Sequence, residues 1–213
     1  MSKLRLTEIF YSLQGETNTV GIPTVFVRLT GCPLRCQYCD TTYAFQGGNW
    51  YTLDAILAEI KKYRTRYVTI TGGEPLAQKA CLNLLTTLCD LNYVVSLETS
   101  GALSVSAVDS RVIKIIDIKT PGSKESEKNK WENLLELSLH DQLKFVICNE
   151  LDYAWCKEII NQYQLAEKCQ ILFSPSFLEL EANKLADWIL QDQLPVRMQI
   201  QLHKFLWGNV QGR

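Results

Sequence analysis

The sequence has no apolar run that approaches the roughly 20 residues a membrane-spanning helix needs. Its first ten residues, MSKLRLTEIF, also lack the apolar stretch of a secretory signal. Charge of one sign is not in excess, because 22 basic and 23 acidic residues leave a formal charge of −1. Nothing electrostatic therefore favours direct nucleic-acid binding or an anionic membrane surface. We expect a cytoplasmic protein that has neither as a partner.

Histidine is scarce, and the two present, His140 and His203, are not paired with another ligand at zinc-finger spacing. Cysteine is plentiful, with eight in the chain, but no second Cys-x2-Cys occurs. A cytosolic chain of 213 residues needs no disulfide bonds, and its thiols would stay reduced. Three cysteines crowd into residues 32–39. The other five lie within apolar patterns and are predicted to be small core residues, namely Cys81, Cys89, Cys148, Cys156 and Cys169.

Apolar β-branched runs alternate with segments of helical periodicity, which predicts an α/β fold with a mostly parallel sheet. Strands are predicted at 23–31, 66–73, 93–101, 111–119, 144–149, 170–176 and 197–203. Four amphipathic helices are predicted. The first apolar residues of their core-facing patterns are Leu53, Cys81, Cys156 and Leu185. The chain is short for an eight-fold barrel of about 250 residues. We therefore expect a partial barrel in one domain, residues 1–213.

Two connecting stretches have no clear periodicity. Residues 121–130, PGSKESEKNK, are polar and are predicted to form a solvated loop. Residues 41–51, with two glycines and Trp50, predict either a small mobile lid or a plain connector. Polar motifs follow several of the predicted strands, and in parallel α/β folds the carboxyl ends of the strands carry the site. We expect these motifs to meet at one rim.

Three cysteines, Cys32, Cys36 and Cys39, form a Cys-x3-Cys-x2-Cys loop directly after a predicted strand. Cysteine thiolates are the usual ligands of iron–sulfur clusters. Three thiolates on a cube of four irons leave one iron open to a cofactor or substrate. The alternative is a structural zinc site, which needs four closed ligands, and the fourth is not evident.

Together with Tyr38 before the last cysteine, this loop resembles the radical S-adenosylmethionine (SAM) superfamily. Thr71-Gly72-Gly73-Glu74-Pro75 is similar to the glycine motif of that superfamily. The resemblance implies a 4Fe-4S cluster, SAM, and a partial (β/α)6-type barrel with reduced helices. It implies cleavage of SAM to a radical that takes hydrogen from the substrate. The implied SAM contacts are Tyr38, Cys39, Asp40, Gly73, Ser100, Asp117, Ile118 and Lys119.

A narrower resemblance, to the 7-carboxy-7-deazaguanine synthases, spans residues 7 to 209. It rests on EIFYSLQGE (8–16), Arg28, Cys39-Asp40-Thr41, the two motifs TGGEP and ETSG, and QLHKFLWGN. It implies a lyase that converts 6-carboxy-5,6,7,8-tetrahydropterin to 7-carboxy-7-deazaguanine with loss of ammonia, in queuosine and 7-deazapurine biosynthesis. It also implies a homodimer and a flavodoxin-like electron donor.

The same resemblance implies substrate-binding and magnesium residues. The substrate contacts would come from short N-terminal and C-terminal extensions and the rim, namely Leu13, Gln14, Gly15, Arg28, Thr71 and His203. Arg28 offers a planar fork for the substrate carboxylate, and Thr41 would bind Mg²⁺. Simpler interpretations stay open: an ordinary turn at Gln14-Gly15, a solvated Arg28, and a structural His203.

Two other functions are compatible with the cysteine loop. One is a radical SAM activase that forms a glycyl radical on a partner protein. The SLQGE segment and Arg28 argue against this function. The other is a non-catalytic zinc-binding module. The chain also continues past His203 to FLWGNVQGR. In some family members the C-terminal carboxylate lies near the substrate. The longer tail of this chain argues against the same role here.

Overall fold

The computed structural model describes residues 3–212. Its strands are β1 Lys3–Leu13, β2 Pro23–Leu29, β3 Asn49–Thr52, β4 Tyr67–Gly72, β5 Val94–Thr99, β6 Ile113–Ile118, β7 Gln142–Ile147, β8 Gln170–Pro175 and β9 Arg197–Met198. Within the described residues they form one sheet in the order β3-β1-β2-β4-β5-β6-β7-β8-β9. From β2 through β4 to β9 all neighbours are parallel, which confirms the predicted α/β sheet.

The helices are α1 Leu53–Ile60, α2 Cys81–Asp90, α3 Glu150–Tyr163, α4 Ala182–Asp192 and α5 Leu202–Trp207. The four predicted helices are present, and α1 and α3 begin at side-chain caps. Thr52 accepts a hydrogen bond from the N–H of Ala55, and Asn149 accepts one from the N–H of Asp152. No α-helix lies between β5 and β6 or between β6 and β7. The helices are thus reduced, as predicted.

Two strands at the N-terminal side were not predicted. β1 pairs antiparallel with β2, and β3 pairs antiparallel with β1. Trp50 lies in β3 with 63% of its surface exposed, so residues 49–52 form an edge strand. The predicted lid or connector is therefore only partly irregular, because its last residues complete the sheet.

The predicted strand at 197–203 is largely wrong. Only Arg197–Met198 pairs with β8, and the chain then turns into helix α5. The N–H of Leu202 donates to the carbonyl of Gly15 at 2.9 Å, which draws the segment away from the sheet and toward the β1–β2 loop. The alternating sequence MQIQL is compatible with a strand, and this long-range contact decides against it.

The predicted solvated loop at 121–130 is correct for its exposed residues, such as Lys124, Glu127 and Lys128, and wrong for the rest of the segment. The segment forms consecutive 3₁₀ turns, and within it Ser123 and Asn129 are buried. The Asn129 side chain accepts from the N–H of Lys119 and donates to its carbonyl, both at 2.8 Å. Polar side chains here bind backbone groups in place of water.

Two hydrophobic clusters fill the space between sheet and helices. One joins β6, β7 and β8 to α3 and α4, and the other joins β1, β2, β4 and β5 to α1 and α2. Of the five cysteines predicted as core residues, all but the half-buried Cys148 are buried. Over residues 3–212, no helix combines the length and apolar character that crossing a bilayer requires.

Candidate active site

One large cavity opens at the carboxyl ends of the parallel strands. It brings together every predicted site residue except Ile118, whose side chain is buried in the core beside β7. The predicted residues that line the cavity are Leu13, Gln14, Gly15, Arg28, Cys32, Cys36, Tyr38, Cys39, Asp40, Thr41, Thr71, Gly73, Ser100, Asp117, Lys119 and His203.

The three cysteines of the loop are free and half-buried at the cavity wall. Burial raises the pKa of all three thiols, that of Cys36 to about 11, and the Lys119 ammonium opposes the rise. Metal ligation requires thiolates, so iron binding would displace these protons. Among the described residues no group of three His, Cys, Asp or Glu side chains is arranged around a single ion. Three thiols on one loop are a donor set that a 4Fe-4S cluster can use.

Glycines of the TGGEP motif let the strand end of β4 touch the cysteine loop. Gly72 has φ of +155°, and a Cβ there would lie 2.3 Å from the carbonyl oxygen of Leu29. At Gly73 a Cβ would lie 2.3 Å from the carbonyl oxygen of Gly31 and 2.8 Å from the Cβ of Cys32. Any side chain at either glycine would push the two segments apart.

Glu74 connects the glycine motif to the end of β5. Its carboxylate is fully buried and accepts hydrogen bonds from the hydroxyl of Thr99 and from both the N–H and the hydroxyl of Ser100. Ser100 is thereby fixed at the cavity wall. The polar residues after β4 and β5 thus form one rigid unit.

Two buried polar atoms at the cavity wall have no partner within the described protein. They are the hydroxyl of Tyr38 and one carboxylate oxygen of Asp117. The other Asp117 oxygen accepts from Lys119 at 2.9 Å, and although burial opposes it, this pairing raises the pKa of Lys119. An unpaired buried polar group costs about 1–3 kcal/mol. These atoms therefore fit a polar ligand such as SAM, which could satisfy them.

Charged side chains line the inner part of the cavity. Lys144 on β7 donates to Glu16 at 2.8 Å and lies 3.7 Å from Asp117. Glu98 on β5 accepts from the side chains of Gln14, at 3.2 Å, and Thr71, at 2.9 Å. Burial raises the pKa of Glu98, and Lys144 opposes this. These residues form a patterned surface of donors and acceptors, which we call the polar floor (Gln14, Glu16, Thr71, Glu98 and Lys144).

Arg28 faces the cavity from β2, and neighbouring side chains orient its guanidinium. Its Nε donates to Glu8 at 2.7 Å, and the Tyr43 hydroxyl donates to the same oxygen at 2.8 Å. The guanidinium also lies over the Phe10 ring, 5.5 Å from its centroid. With Nε occupied, the two terminal nitrogens of the fork are directed elsewhere. The alternative that Arg28 is a solvated surface residue is therefore wrong.

Helix α5 closes the cavity beside the cysteine loop. Lys204 donates to Asp40 at 2.8 Å, and Gln201 donates to the same carboxylate oxygen at 3.2 Å. Burial would raise the pKa of Asp40, but the Lys204 charge and these hydrogen bonds hold it well below its usual range. The other Asp40 oxygen accepts from the hydroxyl of Thr41 at 2.8 Å. Burial lowers the pKa of His203 and so favours the neutral ring.

Replacing Gly15 with alanine is expected to lower both stability and substrate affinity. The new Cβ would lie 2.1 Å from Nδ1 of His203 and would force α5 away from the β1–β2 loop. Overpacking of this kind costs about 1–3 kcal/mol, which a thermal melt and KM would record. The double variant Gly15→Ala/His203→Ala removes the overlap and should recover the melting temperature. A double variant as unstable as the single one would contradict this geometry.

Glu8 and Glu16 lie within EIFYSLQGE and Glu98 lies within ETSG, but the sequence analysis gave none of them, nor Lys144, a role in the site. The available signal was a charged residue inside an apolar strand, as in SLET and QLKFVI. That signal is ambiguous, because Lys114 lies in a similar position on β6 and forms a buried ion pair with Asp141 away from the cavity.

The sequence profile of the Radical SAM superfamily matches residues 26–118, which contain the end of β2, the cysteine loop and strands β3 to β6. The fold agrees with this. The crystal structure of QueE from Escherichia coli superposes with a TM-score of 0.78 and 22% identity, covering 93% of this chain and 94% of that one. The chain thus contains a segment that matches the radical SAM profile, within a fold that it shares with that structure.

Curated relatives narrow the class. The 7-carboxy-7-deazaguanine synthase of Chlorobaculum tepidum is 47% identical, with 96% of this chain and 94% of the relative covered. That of Koribacter versatilis is 41% identical, with 96% and 97% covered. The chain therefore belongs to the 7-carboxy-7-deazaguanine synthase family.

Proposed function

We propose that this chain is a radical SAM lyase that converts 6-carboxy-5,6,7,8-tetrahydropterin to 7-carboxy-7-deazaguanine with loss of ammonia. The observation that carries the proposal is one cavity that joins three free cysteines to the polar floor. Family membership over nearly the whole chain supports the substrate. Neither a protein-docking role, as in an activase, nor a zinc module is favoured by any observation.

The polar floor suits the fused amide and amidine edge of a pterin. Glu98 offers acceptor oxygens for the N–H donors of that edge, and Gln14 and Thr71 hold its side chain in position. Leu13 and Gly15 place backbone groups of the β1–β2 loop at the same cavity. Lys144 and Glu16, which form an ion pair with each other, supply further charged groups that could bind the ring. The polar floor would thus hold a flat heterocycle along one edge.

The substrate carboxylate is assigned to Arg28 and neutral His203. Arg28 is oriented by Glu8 and can present two parallel N–H groups to a carboxylate. When bound, the cluster and SAM supply the one-electron chemistry that removes a hydrogen atom from the substrate. The chain's own contribution is to hold the pterin edge and its carboxylate at fixed positions, which restricts the substrate to one orientation.

SAM is proposed to lie between the cysteine loop and the ends of β4 to β6. Its polar groups would pair with the backbone at Gly73 and with Ser100, Asp117 and Lys119, all of which line that wall. Tyr38, Cys39 and Asp40 would border it from the loop. Of Ile118 only the backbone is available, because its side chain is in the core.

Mg²⁺ is proposed to bind near Thr41, whose hydroxyl lies at the cavity next to the ionised Asp40. Mg²⁺ uses few protein oxygens and keeps several waters, so one hydroxyl plus substrate oxygens is a sufficient set. Thr41→Val removes the hydroxyl at constant shape. We expect about 10-fold more Mg²⁺ to be needed for half-maximal activity. The control is Thr42→Val, at an exposed neighbour outside the cavity. Equal Mg²⁺ curves for both variants would exclude Thr41 as a ligand.

An electron donor of the flavodoxin type and a homodimer are part of the same proposal. A reduced cluster needs an electron donor, and the family resemblance implies one of the flavodoxin type. The cysteine loop lies at a cavity that is open to solvent, which supports access of such a donor. The homodimer is supported only by family resemblance. Sedimentation of the purified chain would test it directly.

The decisive experiment is an anaerobic assay of reconstituted, reduced protein with SAM, Mg²⁺ and 6-carboxytetrahydropterin. We expect 7-carboxy-7-deazaguanine and ammonia in equal amounts, detected by mass spectrometry and an ammonia assay. SAM cleavage without this product would leave the radical SAM class intact and overturn the proposed substrate. A colourless protein with one zinc per chain would overturn both.

A further inference from the structure

A polar segment outside the cavity, residues 120–125, contacts the cysteine loop from behind. The N–H of Gln37 donates to the carbonyl of Ser123 at 3.1 Å. The N–H of Arg35 donates to the carboxylate of Glu125 at 2.5 Å. These two amides flank Cys36 in the sequence. The segment, which we call the bracing segment, therefore fixes the backbone on both sides of the middle cysteine.

The bracing segment is itself anchored to a buried carboxylate. Asp152, in the first turn of α3, accepts from the N–H of Gly122 at 2.8 Å, from the Thr120 hydroxyl at 3.1 Å and from the N–H of Cys148 at 3.0 Å. Its exposed fraction is 1%. Gly122 packs so closely that a Cβ would lie 2.4 Å from an Asp152 oxygen. A buried carboxylate with three donors is a rigid attachment.

Internal hydrogen bonds orient the end of the segment that holds Glu125. The fully buried Ser123 donates its hydroxyl to the carbonyl of Thr120 at 2.6 Å and accepts from the N–H of Glu125 at 3.1 Å. Lys124 between them adopts a left-handed conformation with φ of +65°. The Glu125 backbone is thus set by buried contacts, and its carboxylate is directed at the cysteine loop.

We propose that Glu125 is a positioning residue for the iron–sulfur cluster. By accepting the N–H of Arg35, its carboxylate keeps that donor away from the cluster sulfurs and holds Cys36 in place. Its negative charge also lies beside the loop. Hydrogen bonds to sulfur and nearby charge both set the reduction potential of such clusters, and outer partners of this kind strengthen metal retention. Glu125 therefore retains the cluster and lowers its reduction potential.

Three variants separate charge from hydrogen bonding. Glu125→Ala removes both, Glu125→Gln keeps an acceptor oxygen and removes the charge, and Glu127→Ala removes an equal charge at an exposed position of the next turn. Each protein is reconstituted anaerobically. Iron release to a chelator and the midpoint potential of the cluster, read by electron paramagnetic resonance, are measured without substrate.

We expect Glu125→Ala to release iron about tenfold faster than wild type, equivalent to about 1.4 kcal/mol of lost hydrogen bonding to a charged group. Glu125→Gln should release iron within about twofold of the wild-type rate. Both variants should have a raised potential, and Glu127→Ala should match the wild type in both measurements. If Glu125→Ala matched Glu127→Ala in iron release and in midpoint potential, the proposed role of Glu125 would be wrong, while the cluster site would stand. A wild-type chain that takes up no iron would overturn the cluster itself.

Discussion

Replacement of Cys36 by serine is expected to abolish cluster binding and activity. A serine hydroxyl is not ionised near neutral pH and is a much weaker ligand of iron than a thiolate. Loss of a direct ligand should exceed the roughly 100-fold effect seen for outer partners of metal sites, so product should fall below detection. Iron and sulfide analysis after reconstitution checks the binding, and the deazaguanine assay checks the activity.

A matched control comes from a cysteine of the core. Cys89 lies on α2, is 8% exposed and does not line the cavity. Cys89→Ser should keep its iron and its activity, with only a modest loss of stability from a buried hydroxyl. If Cys36→Ser retained a full complement of iron, or if both variants lost it equally, the cysteine loop would not be the cluster site.

Replacement of Glu98 by glutamine is expected to raise KM for the pterin about 100-fold, as losing a charged hydrogen-bond partner costs about 1.5–3 kcal/mol. Glutamine keeps one acceptor oxygen but presents an N–H2 group to the donor edge of the ring. Retained Gln14 and Thr71 contacts would leave the fold intact. Steady-state kinetics at saturating SAM measure the change, which should appear in KM more than in kcat.

The pH dependence of the same variant provides a second readout. Burial raises the pKa of Glu98, so its carboxylate takes up a proton at a higher pH than an exposed glutamate. The wild-type KM should therefore rise on acidification through that pKa, and the variant should lack this rise. The exposed Glu136→Gln is the control and should keep the wild-type profile. An unchanged KM in Glu98→Gln would remove Glu98 from the pterin site.

The parallel part of the fold could be predicted because each of its main strands, β2 and β4 to β8, is a largely apolar run between turn residues. Strand β1 could not be predicted, since EIFYS mixes exposed, half-buried and buried positions without alternation. Its pairing with β2 and β3 also depends on partners up to 49 positions away. Segment 197–203 has the alternation of a strand, but only two of its residues pair with β8. Local pattern cannot report the contact of Leu202 with Gly15, which draws the segment away from the sheet.

For the site, sequence motifs identified the residues of the cavity rim and missed most of the polar floor. The cysteine loop and TGGEP are local, so spacing alone brings their residues together. Glu16 and Lys144 form their ion pair across 128 positions, and either could have been a solvated charge. Arg28 was predicted, but Glu8, which orients it, was not, because β1 itself was missed. The bracing segment was misread because its polar residues bind the backbone.

The junction between the β1–β2 loop and helix α5 has a consequence for biosynthesis. Gly15 and Thr17, near the start of the chain, bind Leu202 and Gln199, near its end, through hydrogen bonds of 2.9 and 2.7 Å. The wall of the cavity is thus assembled from segments that lie 182 positions apart in the sequence. Nascent chains cannot complete the pocket until residues 199–202 have left the ribosome. Messages cut short before codon 199 would yield protein with most of its sheet and no competent pocket.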